Sequence, residues 1–167
     1  FEASTKQFIA KLFNTLRFLM LGADWGSLFR QAGTAISHPS AILEAFAPAW
    51  KAAKTETGEI EAAQELEDRV LYKLFTQAGI EFTKWNVPES QSKQEEAAMM
   101  GWIEKIPGRL GEFLRGSARS QVIFLNYVRY NLMEAMSASL SRFGAPTMGE
   151  MKVYARMVNA ATGRASL

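Results

Sequence analysis

Apolar residues recur along this chain at three- and four-residue spacing, and the two-residue alternation of a half-buried strand is nearly absent. The pattern predicts an all-α fold, an irregular multi-helix bundle of about six to eight helices with essentially no sheet. A leading amphipathic helix over 5–21 places Phe8, Ile9, Leu12, Phe13, Leu16, Leu19 and Met20 on one side and Lys11, Asn14 and Arg17 on the other. Gly22 ends it, which divides the chain into a leading helix, 1–22, and a helical domain, 23–167. Asp24 is placed to cap a short helix reaching Gln31, broken at Gly33. A further helix begins at Pro39 and is expected to turn Ile42, Leu43, Phe46, Trp50 and Ala53 inward. Pro48 lies inside it, lacks an N–H and crowds the carbonyl of Glu44, so a kink or break is expected there.

After a linker at 55–58 comes an acidic helix over 59–78, with Ile60, Ala63, Val70, Leu71, Leu74 and Phe75 as its stripe and Gly79 as a left-handed cap. The stretch 82–88 reads as a packed extended connection, too short and isolated to build a sheet. Ser92 and Glu95 form a capping box ahead of a helix through Met99, Trp102 and Ile106, which Pro107-Gly108 stops. Gly108, Gly111 and Gly116 mark a turn-rich segment. Ser117 then starts the longest helix, 118–142, with Leu125, Val128, Leu132, Met136, Leu140 and Phe143 facing the core and Gly144-Ala145-Pro146 ending it. Thr147 and Glu150 form a second capping box, and Met151, Tyr154, Val158 and Ala161 line the last helix up to Gly163.

Composition narrows the chemistry. A chain of 167 residues is long enough for one domain with a substantial core, and 48% hydrophobic with 22% charged residues is a globular mix. With no cysteine, disulfides, cysteine-held zinc, iron–sulfur clusters and thiol nucleophiles are excluded. No run of about 18 apolar residues occurs, because Lys11, Arg17 and Asp24 interrupt the most apolar region. The formal net charge of +2 is unevenly spread: residues 51–100 hold six Lys/Arg against ten Asp/Glu, and residues 101–167 hold nine against four. That asymmetry invites head-to-tail contacts or an acidic partner, or is simply a set of solvated helix faces.

Candidate chemistry is sparse. His38 is the single histidine and sits before Pro39 in a turn, leaving no basis for a histidine triad or paired-histidine metal site. Glu56, Glu59, Glu61, Glu65, Glu67 and Asp68 hold a metal only if another element supplies ligands opposite; otherwise they form a solvated face. The glycines at 108, 111 and 116 spell neither a Walker loop nor a dinucleotide fingerprint. Asn159, Thr162, Gly163 and Arg164 lie where a helix ends, and its negative dipole repels anions, so Gly163 reads as a cap and Arg164 as a cation near the last carbonyls. Arg119, Phe124, Tyr127, Arg129 and Tyr130 combine cations with stacking surfaces, which suits either nucleic acid or a core with surface arginines.

Four ordered stretches carry a resemblance: "DWGSLFRQAG" at 24–33, "EEAAMMGWIEKIPG" at 95–108, "GSARSQVIFLNYVRYNLMEAM" at 116–136 and "MVNAATGRASL" at 157–167. Together the chain resembles the helical large polyvalent protein-associated domain family of very large phage proteins. The matching positions are Asp24, Arg30 and Gln31; Glu95, Glu96, Trp102 and Pro107; Ser117, Arg119, Asn126 and Arg129; and Asn159, Thr162, Gly163 and Arg164. Ala165 stands where the family tends to have Gly, and the aromatic Ser-Pro-Arg stretch with which the family continues does not follow. With Phe1 in place of a methionine, this leads us to expect an excerpt or processed product of a longer polypeptide.

The resemblance implies a non-enzymatic module without cofactors, carried inside the virion of a tailed phage and delivered with its genome, with enzymatic domains possible elsewhere in the polypeptide. Expected partners are other copies of the chain, other virion proteins and phage DNA. Arg119, Arg129 and Arg164 would bridge helices or line a DNA-facing surface, and the Phe8 to Met20 stripe would dock on a subunit or on a membrane surface. The alternative is a co-injected nucleic-acid-binding or antirestriction component acting in the host.

Overall fold

The computed structural model describes residues 38–83, 106–142 and 144–162. They form five α-helices: α1 (Pro39–Lys54), α2 (Glu56–Glu67), α3 (Tyr72–Ala78), α4 (Gly108–Ser141) and α5 (Met148–Ala161). No strand occurs among the described residues, so the all-α expectation holds for them. These five helices belong to the described residues, whereas the six to eight expected are counted over the whole chain. The leading helix, the short helix after Asp24, the capping box at Ser92 and the helix carrying Trp102 lie outside the described residues.

The 34 residues of α4 make an axis about 50 Å long. It begins at Gly108 and passes straight through Gly111 and Gly116, where a turn-rich segment is expected. Packing overrides the propensity penalty of about 1 kcal/mol for each interior glycine. At Gly116 the reason is visible: a Cβ there would collide with the backbone carbonyl of Ala53, because α1 lies directly against α4. The two helices run antiparallel, with Ala41 near Asn131, Phe46 against Phe124 and Ala52 near Arg119.

That close approach decides which side of α1 turns inward. Ala41, Ala45, Ala49 and Ala52, at helical spacing, are 3%, 0%, 1% and 0% exposed, whereas Leu43 and Trp50 are 68% and 67% exposed. The expected inward placing of Leu43 and Trp50 is therefore wrong, and Phe46 is only half-buried. A backbone this near to its neighbour leaves space for methyl groups and none for an indole. The helix also runs through Pro48 unbroken, with Ala45 and Ala49 buried a turn before and directly after it.

The acidic helix starts earlier than expected and is divided. Thr55 caps α2 by accepting from the Gly58 amide at 3.0 Å, and the helix stops at Glu67. A turn containing Arg69 separates it from α3 and leaves Val70 93% exposed. Ile60 is also outside the core, at 56% exposure. Gly79 closes α3 with φ 102°, and the next amide, Ile80, returns to the Phe75 carbonyl at 3.0 Å, the expected left-handed cap. The Thr147–Glu150 capping box at α5 is present with both of its bonds. Phe75, Val128, Leu132, Met133 and Val158 form the centre of the core, and Phe75 packs at a tilt on Tyr130 with ring centroids 5.1 Å apart.

Candidate functional site

The densest polar chemistry among the described residues lies inside the bundle. After Gly79 the chain runs without helix through residues 80–83, so its backbone groups lack the bonds a helix or sheet would provide. Two asparagines supply them. Asn159 on α5 donates from Nδ2 to the Gly79 carbonyl at 2.9 Å and accepts at Oδ1 from the Glu81 amide at 3.1 Å. Asn126 on α4 accepts from the Thr83 amide and donates to the Thr83 carbonyl, both at 2.9 Å. Each side-chain amide thus takes the place of a strand edge, and residues 79, 81 and 83 face the helices with the period of an extended chain.

Arg129 joins this strap to the end of α5. Its Nη1 donates to the Glu81 carbonyl and to Thr83 Oγ1, each at 3.1 Å, and to Asn126 Oδ1 at 3.3 Å. Its Nε donates to Thr162 Oγ1 at 2.9 Å, and Nη2 to the Thr162 carbonyl at 3.3 Å. Thr162 Oγ1 in turn donates to the Val158 carbonyl at 2.8 Å. Arg129 is 1% exposed, a cation held by the rigid fork of its donors against oxygens fixed by three different elements.

Two further groups tie α4 to the other helices. Arg119 donates from Nε to the Ala52 carbonyl at 3.2 Å, one of the last carbonyls of α1, and lies 3.8 Å from Glu56 and 3.9 Å from Glu59. It therefore holds the corner between α1 and α2, where a cation suits the negative end of α1. Burial pushes the Glu59 carboxyl above its ordinary pKa, with Arg119 pulling it back. Asn131 donates to the Ala41 carbonyl at 3.0 Å and accepts from Arg69 at 3.0 Å. The Arg69 guanidinium lies over both Tyr127 and Tyr130, 5.0 and 4.9 Å from their ring centroids. The Tyr127 hydroxyl donates to the Ala62 carbonyl at 3.0 Å, and burial pushes its pKa up to about 12.

Of the residues singled out in the sequence, Asn126, Arg129, Asn159 and Thr162 come together in one network. Arg119 lies about 15 Å away along α4 in a separate one. Ser117 is half-buried in the same helix, and Pro107 is the residue before it. Asp24, Arg30, Gln31, Glu95, Glu96, Trp102, Gly163 and Arg164 lie outside the described residues.

The basic and aromatic set proposed for nucleic acid is interior: Arg119, Phe124, Tyr127, Arg129 and Tyr130 are all at most 7% exposed. Their groups face carbonyls and rings of this chain, so in the folded domain Arg119 and Arg129 do not present a DNA-facing surface. No cluster of three potential metal ligands occurs among the described residues. His38 precedes α1 and makes no side-chain cap bond.

Arg69 and Asn131 were missed in the sequence, and the strap was anticipated only in part, as a packed extended connection beginning at Phe82. Asn131 carries a usable signal, a polar residue in the largely apolar helical stretch 127–133 that needs a partner once it is packed. Arg69 carries none, because its partners are 58 or more positions away. No family model, curated protein or solved structure matches the chain.

Proposed function

We propose that this chain is a non-enzymatic assembly module of a tailed-phage internal virion, or ejection, protein, packaged in the capsid and delivered with the DNA or guiding it into the host. The reading rests on the ordered resemblance to the large polyvalent protein-associated domains. One structural observation gives it physical support: Asn126, Arg129, Asn159 and Thr162, four of the positions that carry the resemblance, form a single interior clamp. Residues that hold a strap and two helices together make a scaffold, and their polar atoms are bonded to other groups of this chain. A scaffold does its work through its outer faces and its neighbours.

The co-injected nucleic-acid-binding reading drew on the basic C-terminal third, and two of its arginines, Arg119 and Arg129, are buried. Peptide mass spectrometry of purified virions, followed by electron microscopy of the isolated protein, tests the proposal. Peptides of this chain in the particles, with a symmetric oligomer, are the expected result. A chain absent from virions and monomeric on its own contradicts it.

A further inference from the structure

Two exposed helix faces carry opposite chemistry. On α2 and its C-cap, Ile60, Glu61, Gln64, Glu65 and Asp68 are exposed along one side, and the helix contains no Lys or Arg. On α5, Lys152, Val153, Arg156, Met157 and Ala160 are exposed along one side. Glu150, the acidic residue of α5, is tied into the cap with Thr147. Each face also carries apolar surface: Ile60 is 56% exposed, and Val153 and Met157 are each 49% exposed. Charge sets the pairing and apolar side chains supply the area to bury.

The two helices lie on different sides of α4. Tyr127 reaches α2 at Ala62, while Arg129, two residues on and so about 200° around α4, reaches Thr162 at the end of α5. One molecule cannot bring the faces together, but two can. The helices match in reach, twelve residues against fourteen, or about 18 and 21 Å. On one side Lys51 already reaches Glu61 at 2.9 Å, and Glu65 and Asp68 extend the acidic surface beyond that pair.

We propose that the acidic outer face of α2 docks on the basic outer face of α5 in a second copy of this chain. The two patches differ, so the contact is heterologous and repeats head to tail, closing into a ring or growing as a filament. The inference deepens the assembly reading given above and names the surface through which the copies meet.

Sedimentation of the full chain at low and high salt tests it, using two double variants, E65K/D68K and K152E/R156E. All four positions are exposed, and a lysine at 68 lies at the favourable end of α2. The wild type is expected to associate at low salt and to dissociate as salt screens the faces. Each double variant alone should lose at least about tenfold in association. An equimolar mixture of the two should regain it, because every acidic face then meets a basic one.

A wild type that stays monomeric at low salt overturns the proposal. So does association that neither double variant weakens, or a mixture that remains monomeric. DNA binding through Lys152 and Arg156 without self-association overturns it as well. Absence from virions would contradict the virion assignment and leave this contact standing, whereas a virion protein whose association ignores the four reversals would contradict the contact alone.

Discussion

Asn126 and Asn159 each satisfy a donor and an acceptor on the strap, so truncating either removes two hydrogen bonds that hold it. Asn126→Ala and Asn159→Ala should each lower stability by about 1–3 kcal/mol in urea denaturation. The double variant should fall short of the sum, because both side chains hold the same segment. Tyr127 makes a pH-dependent contribution. Its pKa of about 12 in the fold lies above the ordinary phenol value of about 10, so the unfolded chain loses that proton first. The stability it supplies is complete below pH 10 and is lost as pH rises through 12. Tyr127→Phe should flatten this alkaline decline; an unchanged decline would place its origin in other groups. Tyr72 and Tyr130, also raised by burial, contribute in the same direction. In the sequence Tyr127, Arg129 and Tyr130 suited either a nucleic-acid surface or a core with surface arginines, since composition carries no information on burial. Arg129 shows the difficulty: its partners at 81, 83 and 162 meet only once three elements have packed.

At the scale of elements, caps and terminators were legible because they act locally. The Thr147–Glu150 box and Gly79 are set by residues within four positions of one another. The length of α4 and the inward side of α1 were not, because both depend on α1 and α4 meeting backbone to backbone at Gly116 and Ala53. Large residues at helical spacing suggested a stripe through Leu43 and Trp50, while the buried stripe is made of alanines. The division between α2 and α3 was hidden in the same way, since Arg69 finds Tyr127, Tyr130 and Asn131 only in the folded molecule. A direct contrast follows. Gly116→Val drives a branched side chain into the Ala53 carbonyl and should cost about 3 kcal/mol or prevent folding, whereas Trp50→Ala should stay within about 0.5 kcal/mol. Thermal unfolding of the two variants reads the difference, and equal losses would contradict the packing of α1 on α4.

For the whole molecule, α4 is the axis and its polar side chains are the fastenings: Arg119 to the α1–α2 corner, Asn131 to the start of α1, Tyr127 to α2, and Asn126 with Arg129 to the strap and α5. Their interior positions leave the outer faces of α2 and α5 exposed, the surfaces through which we propose that copies of the chain meet. Asn126, Arg129, Asn159 and Thr162 thus act as interior fastenings of the fold. Native-state hydrogen exchange of the Glu81 and Thr83 amides tests this role most directly, because these donate to Asn159 and Asn126. Both should be protected in the wild type, with Asn126→Ala raising exchange at Thr83 far more than at amides in the middle of α4. Amides at 81 and 83 that exchange as freely as those of an unstructured peptide would contradict it.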